Sequence, residues 1–410
     1  MGGGDPLSAE TNVKIMKEVG MISMHYLHAL ITNCPALYAT FDQNQGDILF
    51  HILINTLGDA LLYGFALYAA NRVDWKAKWP MPSYDELIQD VHYFGRKYLD
   101  RTKAHFAFGT HELSFSMVCE MVAFHQTVAS HVSAYTHDAG MFHQEHLFAI
   151  RTADYNQDAL SSELTSTEIA RVQRGFYIVE ITRVLFPFCI DDDENYGGEH
   201  GERYKKDGLW NALWHHFAPW DNLLAMDIAR WMEEAIGYGQ GPDITDDNYR
   251  VYRAWLSRYG LSGFYILEDD NMRLSSLIHA HADLLWLPLR NLLYCRDVIG
   301  YSWLRLVRGD NIRSLDIAHL IRRFPERENG LRDRWFALLL DEVLRDEHRD
   351  SRLADFEFSA WWDRARFEAV FPESSRNILP EIEELEADAE GEVCDTDMEG
   401  DPDWCRQIGY

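Results

Sequence analysis

The stretch "LTSTEIARVQRGFYIVEITRVLF", Leu164 to Phe186, predicts a long helix. Thr165 stands three residues before Glu168, which is the capping-box pattern that satisfies free backbone N–H groups at a helix start. Apolar residues then recur at helical spacing, namely Ile169, Val172, Phe176 and Val179. The polar residues Thr182 and Arg183 interrupt this stripe at its next turn.

Helical periodicity of the same kind runs through most of the chain. In "DILFHILINTL", residues 47–57, the apolar positions again fall on one helical face. Further helices are predicted at 83–99, 220–236, 247–259, 274–295, 312–323, 331–346 and 356–371. A short segment near Phe264, "GFYILE", is the one tempting strand. The sequence therefore predicts an all-α protein.

Composition limits the possible partners. The 410 residues are 25% charged and carry a formal net charge of −28, with a pI near 4.9. Such an acidic surface repels nucleic-acid backbones and anionic lipids, so we expect neither as a partner. The apolar span 48–70 contains His51, Asn55 and Asp59, which favours a buried helix over a membrane segment.

The cysteines and the N-terminus indicate the compartment. The six cysteines form no CxxC pair, and scattered cysteines in apolar helical surroundings are typical of reduced thiols. The start "MGGGDPLSAE" has neither a basic segment nor an apolar run, as a secretory signal would. We therefore expect an intracellular protein, cytoplasmic or nuclear.

Two acidic segments interrupt the helical pattern. Residues 191–206 are acidic and Gly-containing, which is typical of a surface loop. Residues 381–403 hold seven Glu and five Asp with no Lys or Arg. A segment with so few apolar residues cannot offset the entropy of ordering, so residues 381–410 are predicted to be a disordered tail.

Histidines offer the best case for an enzyme. Seven of the 18 histidines lie between His105 and His146, and His143 and His146 have the i, i+3 spacing that shares one helical face. A helical metal-dependent enzyme is thus one alternative, although no HExxH motif is present. "CEMVAFH", residues 119–125, sets no nucleophile beside a base. No catalytic residue, metal ligand or cofactor is predicted.

A tryptophan-rich segment offers a surface for a peptide or ligand. "LWNALWHHFAPWDNLLAMDIARWM", residues 209–232, contains Trp210, Trp214 and Trp220. Tryptophans are common anchors in protein interfaces, so these three are candidates for binding a client protein. The other interpretation is two core helices joined at Pro219.

The N-terminal segment, Pro6 to Leu53, has an aliphatic pair at Ile15-Met16 and a break at Pro35 before Leu37 and Tyr38. In these features it resembles the degenerate F-box-like N-terminus of filamentous-fungal proteins. The family pattern has Leu-Pro-x-Glu, an aliphatic pair, a Leu-rich second helix, a Pro-containing break before Leu and Tyr, and a third helix that begins Ile-Leu. The matching residues are Leu7, Glu10, Ile15, Met16, Leu27, Leu30, Ile31, Pro35, Leu37, Tyr38, Ile48 and Leu49. The chain departs from the pattern at Ser8, where the family has proline, and at Asn33-Cys34, where it has Ala-Ser.

The resemblance extends into the body of the chain. Similar elements in these proteins include the helix at 164–186, a Pro-Trp-acid segment at 219–221 and a Trp-Asp-Arg-x-Arg element at 362–366. The resemblance implies an F-box-like segment at residues 1–59 and a larger irregular helical body at residues 60–380. No enzymatic role is tied to this family.

An F-box presents apolar side chains to a Skp-type adaptor of cullin–RING ubiquitin ligases. The resemblance therefore implies a non-catalytic substrate receptor that holds this adaptor and an unidentified client. The implied adaptor-facing residues are Leu7, Ile15, Met16, Leu30, Ile31, Pro35 and Leu37. The alternative is a helical scaffold without adaptor binding, in which the segment forms the first helices of one continuous core.

Overall fold

The computed structural model describes residues 8–73, 84–99, 113–150, 156–160, 162–185 and 362–370, residue 372, and separate positions between 212 and 231. Side chains of the helix that starts at Phe115 are described as far as His137. Of the interpretable part, 88% is helical and none is strand, which confirms the all-α prediction. The predicted acidic loop, the acidic tail, the segment near Phe264 and the helices predicted between residues 247 and 346 lie outside the described residues.

Nine helices are described, and their bounds follow in chain order. They are α1 (Ala9–Ile22), α2 (Met24–Asn33), α3 (Pro35–Leu57), α4 (Leu61–Ala70), α5 (Tyr84–Tyr98), α6 (Phe115–Ile150), α7 (Gln157–Leu160), α8 (Ser166–Leu185) and α9 (Arg364–Val370). A 3₁₀ turn, Gly58–Ala60, joins α3 to α4.

Local signals set the starts of the first three helices. The Ser8 hydroxyl accepts a hydrogen bond from the Thr11 N–H (3.2 Å) and caps α1. Ser23 ends α1 and caps α2 by accepting from the His25 N–H (3.2 Å). Pro35 occupies the first turn of α3, where its missing N–H has no helical partner to lose.

Helices α1, α2 and α3 share one apolar core with α6. Its fully buried residues include Met16, Leu27 and Ile48, and it continues through Phe65 and Val118. The core is therefore continuous across residues 59 and 60, where the F-box-like segment was predicted to end. This arrangement fits the interpretation of the segment as the first helices of a larger core.

A close approach of α1 to α3 depends on Gly20. A Cβ at this position would lie 2.2 Å from Cδ1 of Ile52 and 3.1 Å from Cδ2 of Leu27. The Lys17 ammonium group pairs with the Asp47 carboxylate at 2.8 Å beside this contact. A small residue on α1 thus permits the helices to pack, and the ion pair joins them at the surface.

The stretch Pro35–Ala70 is long and apolar enough, by length and composition, to cross a membrane. In the structure the 3₁₀ turn at Gly58 breaks it, and Gly58 adopts a positive φ of 51°. Just over half of the apolar window, 56%, is buried against the chain's own helices. Its apolar side chains thus contribute to the core.

Helix α8 is the most buried long helix in the described part of the chain. It packs against α4 and α6, and Gly175 allows Leu224 and Ile228 to approach its backbone. Three of the four residues of its predicted apolar stripe are buried, namely Val172, Phe176 and Val179. Thr182 was expected to interrupt the stripe, but it is also buried, and its hydroxyl donates to the Ile178 carbonyl (2.8 Å).

Charged side chains on α8 are buried as deeply as the apolar ones. Glu168, Arg171 and Arg174 are each at most 3% exposed. Arg174 lies 3.5 Å from the carboxylate of the buried Asp221, which also accepts a hydrogen bond from the Tyr63 hydroxyl (3.3 Å). Burying charges at this depth requires opposite charges or hydrogen bonds nearby, because desolvation is costly.

The start of α8 binds the short C-terminal helix α9. Arg366 donates from Nε to Oε1 of Glu168 (2.7 Å) and from Nη2 to Oε2 (2.8 Å). Arg171 donates to Oδ1 of Asp363 at 2.7 Å. The predicted capping box is present, because the Glu168 N–H donates to the Thr165 hydroxyl (3.1 Å) and the Thr165 N–H to Glu168 (2.9 Å). We call Thr165, Glu168, Arg171, Asp363 and Arg366 the clasp.

The remaining donors of Arg366 bind the turn between α7 and α8. Nη1 donates to the Ser162 hydroxyl (2.7 Å) and the Ala159 carbonyl (3.2 Å), and Nη2 donates to the Glu163 carbonyl (2.7 Å). The Asn156 N–H donates to the carbonyl of Val370 (2.9 Å). One guanidinium group thus joins segments about 200 residues apart in sequence.

Replacing Arg366 tests how much the clasp contributes to the free energy of unfolding. Arg366→Met leaves the Glu168 carboxylate buried without its counter-charge, so we expect a loss of about 3–5 kcal/mol in the free energy of unfolding. Urea denaturation measures this loss. The matched control is Lys14→Met, which removes an exposed ion pair with Glu10 and should cost less than about 1 kcal/mol.

A double variant separates charge from packing. Glu168→Gln/Arg366→Met removes both charges and should recover part of the lost stability, because no unpaired charge remains buried. Equal losses for Arg366→Met and Lys14→Met would contradict this account of the clasp.

Candidate functional site

The predicted adaptor-facing residues differ in how far their side chains are buried. Met16 is fully buried and Ile31 is 7% exposed, and both belong to the core that α1, α2 and α3 share with α6. Leu30 and Leu37 are half-buried against the same core, and Pro35 is exposed. Ile15 is half-buried, whereas Leu7 lies outside the described residues.

The burial of Met16 and Ile31 corrects their expected role. Their side chains already pack against the chain itself, so neither can face an adaptor without opening the core. A helical pattern identifies the apolar positions of a short helix but cannot tell which neighbour covers them. The accessible members of the set are Pro35, with Ile15, Leu30 and Leu37 in part.

Other residues of the same three helices expose large apolar side chains. Ile22 is 74% exposed, Tyr26 60% and Tyr38 56%. Two other large hydrophobic residues in the described part of the chain are exposed, Ile54 at 45% and Tyr93 at 60%. Three of the five thus fall within 17 consecutive residues.

The sequence around these residues lacks charge. Residues 19–41, "VGMISMHYLHALITNCPALYATF", contain no Asp, Glu, Lys or Arg. In a chain that is 25% charged, a quarter of 23 residues would be about six charged side chains. We call the exposed side chains of this run the uncharged surface: Ile22, His25, Tyr26, His28, Thr32, Asn33, Pro35, Ala36, Tyr38 and Ala39.

Contacts beneath the uncharged surface hold it on α6. The His28 ring lies 5.6 Å from the Phe115 ring, which also meets Phe41 edge-on at 6.2 Å. The Gln45 amide donates to the Leu113 carbonyl at 2.9 Å. The surface therefore rests on packed helices, and little entropy would be lost when a partner binds it.

The composition of the uncharged surface is that of an interface centre. Interface cores are depleted in charged residues and enriched in tyrosine, which combines a large apolar area with few rotatable bonds. The charged residues Glu18 and Asp42 border the run directly, and the preceding charges on α1, Lys14 and Lys17, are paired with Glu10 and Asp47. The uncharged surface is thus suited to an apolar protein partner.

The described histidines of the predicted metal cluster lie in packed helices. His125 and His131 are 7% and 2% exposed. His125 Nδ1 lies 3.2 Å from the Tyr177 hydroxyl, and the His131 ring packs on Phe176 at 6.2 Å. No group of three metal-ligating side chains occurs among the described residues. His105, His111 and the side chains of His143 and His146 are outside them.

Burial also governs the ionisation of residues on α6 and α8. It lowers the pKa of His125 and raises the pKa of Tyr177, so both groups are neutral near pH 7. Burial, followed by the nearby Glu120 carboxylate, raises the pKa of the Cys119 thiol. A protonated thiol is not an activated nucleophile.

The predicted client-binding tryptophans are only partly described. Trp220 is 1% exposed, which favours the core interpretation for this residue. Its burial corrects the expectation of an exposed anchor. Trp210 and Trp214 lie outside the described residues, so their role stays a prediction.

Sequence reasoning missed Ile22, Tyr26 and, as an exposed aromatic, Tyr38. The signal that could have found them is the length of the uncharged run. A helix that packs on a core buries only one face, and its other face normally carries charged or polar residues. A run that spans two helix breaks without any charge must leave uncharged residues at the surface.

Comparisons with known proteins do not identify a family. No protein-family model, curated protein or solved structure is significantly similar to the chain.

Stability measurements should separate the uncharged surface from the core beneath it. Tyr26→Asp and Tyr38→Asp replace exposed side chains in first helical turns, and each should change the free energy of unfolding by no more than about 0.5 kcal/mol. Met16→Ala leaves a cavity in the shared core and should cost about 2–5 kcal/mol. Urea denaturation distinguishes these outcomes, and a large loss for both tyrosine variants would place their rings in the core.

Acid should destabilise the protein through His125. Because the pKa of His125 is lowered in the folded state, the unfolded chain binds a proton below about pH 6.5 that the folded chain does not. Stability therefore falls as pH falls through this range. His125→Gln should flatten the decline between pH 7.5 and 5.5, whereas the exposed His137→Gln should not; an unchanged slope in His125→Gln would contradict this assignment.

Proposed function

We propose that the chain is a non-catalytic interaction protein that holds a Skp-type adaptor through the uncharged surface of α1, α2 and α3. The observation that carries this proposal is the 23-residue run without charge, which exposes Ile22, Tyr26 and Tyr38. The resemblance of the same helices to an F-box supports the choice of partner.

The arrangement of buried and exposed residues favours binding without unfolding. Met16 and Ile31 hold the helices together from inside, and Tyr26, Pro35 and Tyr38 remain outside. A partner with an apolar groove would cover the exposed rings and leave the core unchanged. Burying two tyrosine rings and Ile22 would contribute several kcal/mol, at roughly 25 cal/mol for each Å² of apolar area.

The negative charge on the rest of the chain favours binding of the adaptor at the uncharged surface. A net charge of −28 repels other acidic surfaces, whereas the uncharged surface does not. An adaptor would therefore dock at this surface and leave the helical body free for a client. The mechanism is proximity, since a bound client raises the effective concentration of its lysines near a charged ubiquitin-conjugating enzyme.

Co-purification tests the adaptor proposal. The full chain is co-expressed with the Skp-type adaptor of its host and analysed by size-exclusion chromatography. We expect the wild-type chain to elute with the adaptor, and Tyr26→Asp/Tyr38→Asp to elute alone, because two carboxylates in an apolar groove would have to be desolvated.

The matched control is Tyr93→Asp, which changes an equally exposed tyrosine on α5, outside the uncharged surface. This variant should still elute with the adaptor. A folded wild-type chain that elutes without adaptor would contradict the proposal and favour a helical scaffold that does not bind it. Co-elution that survives in Tyr26→Asp/Tyr38→Asp would place the adaptor elsewhere on the chain.

A further inference from the structure

We propose that Thr165 is a phosphorylation site and that its modification opens the clasp, which releases α9 from α7 and α8. Thr165 is exposed, although the carboxylate and guanidinium groups it adjoins are largely buried. A kinase can reach this hydroxyl group from solvent, and the group is part of the contact that holds a distant segment of the chain.

The Thr165 hydroxyl group makes two hydrogen bonds of opposite direction. It accepts from the Glu168 N–H at 3.1 Å, and it donates to Oδ2 of Asp363. An ionised carboxylate can only accept, so the proton of this bond must come from the threonine. In a phosphothreonine Oγ1 has no proton, and the hydrogen bond to Asp363 is lost.

The chemical step transfers the γ-phosphoryl group of ATP from a serine/threonine kinase to Oγ1. The new P–O bond forms at Oγ1, the bond to the β-phosphate oxygen breaks, and ADP leaves. The hydroxyl proton passes to the base of the kinase. The exposed Glu163 lies two residues before Thr165, which favours a kinase that recognises an acidic residue near its target.

Phosphorylation would add negative charge to the clasp, in which positive and negative side chains are equal in number. The clasp contains two carboxylates, Glu168 and Asp363, and two guanidinium groups, Arg171 and Arg366. A phosphate adds about −1.5 to −2 charges at pH 7. It would face the Asp363 carboxylate at close range, so repulsion replaces the hydrogen bond.

Capture of the phosphate by arginine is the opposing effect. Arg366 already donates to both oxygens of Glu168, to the carbonyl groups of Ala159, Ser162 and Glu163 and to the Ser162 hydroxyl. Arg171 is bound to Asp363. To reach the phosphate, Arg366 would have to leave the buried Glu168 carboxylate, or Arg171 the partly buried Asp363 carboxylate. The abandoned carboxylate would then lose its counter-charge. Release of α9 is therefore the favoured result.

The first experiment compares Thr165→Asp with Thr165→Asn in the full chain. Aspartate and asparagine have nearly the same size and are equally good helix N-caps, so the pair differs mainly in charge. We expect backbone amide exchange at Asn156, whose N–H binds Val370, to be faster by about tenfold or more in Thr165→Asp. Thr165→Asn should stay near the wild-type rate. Equal rates in both variants, or slower exchange in Thr165→Asp, would overturn the proposal.

An internal control distinguishes opening of the clasp from opening of the whole domain. Amides of the N-terminal core, at Ile48 to Leu53, should exchange at the wild-type rate in both variants. Faster exchange there as well would mean that the whole domain opens, and the clasp would not be a local device.

The second experiment uses the modification itself. The wild-type chain is incubated with an acid-directed serine/threonine kinase and Mg·ATP, and the modified residue is located by mass spectrometry. We expect phosphate on Thr165, with the same faster exchange at Asn156. Phosphate confined to other residues, or slower exchange after Thr165 is modified, would overturn the proposal. The control variant Ser166→Ala/Thr167→Ala changes the neighbouring exposed hydroxyl groups. In this variant, Thr165 should still be phosphorylated and α9 should still be released.

Discussion

The Glu168 carboxylate is fully buried at the start of α8, and it forms two hydrogen bonds with Arg366 and one with the Asp363 N–H. An unpaired carboxylate at this depth would cost several kcal/mol, so α8 and the C-terminal residues 362–370 must be present together. Helix α8 in turn packs on α4 and α6, which carry the N-terminal core. Helix α8 thus connects the clasp to the N-terminal core.

Three elements of the sequence meet at α8. The helix itself, the Pro-Trp-acid segment and the Trp-Asp-Arg-x-Arg element were singled out separately by their resemblance to one family. In the structure, Arg174 approaches Asp221, and Glu168 binds Arg366. These residues have a structural role, because each arginine neutralises a buried carboxylate. Their burial also explains why α8 has no polar face, since its charged residues are turned toward other parts of the chain.

The helical class and several local details could be predicted from the sequence. The capping box of Thr165 and Glu168 forms as expected, because it depends on residues three apart in one helix. The predicted apolar face of α3, which consists of Ile48, Leu49, Ile52, Leu53 and Leu57, is buried as its spacing indicates. Contacts between distant segments could not be derived in this way, and the pairing of Glu168 with Arg366 is an example.

The candidate site stays a prediction, but the burial of its residues can be compared with what the sequence indicated. The resemblance directed attention to the first three helices, yet it assigned Met16 and Ile31 to a partner, and the chain itself covers both. Periodicity identifies an apolar face but not its neighbour. Exposure of Tyr26 and Tyr38 follows from how α1, α2 and α3 pack against α6, and that packing depends on contacts such as Phe41 with Phe115. The absence of charge was readable from the sequence and would have indicated the surface.

The central claim is that the uncharged surface, rather than the buried apolar residues, meets the adaptor. Amide hydrogen exchange of the full chain, measured with and without a saturating amount of the Skp-type adaptor, tests it most directly. The account predicts slower exchange confined to residues 22–40, with the core at Ile48 to Leu53 unchanged. Slower exchange elsewhere only, or faster exchange in the core as Met16 and Ile31 open toward the adaptor, would contradict it.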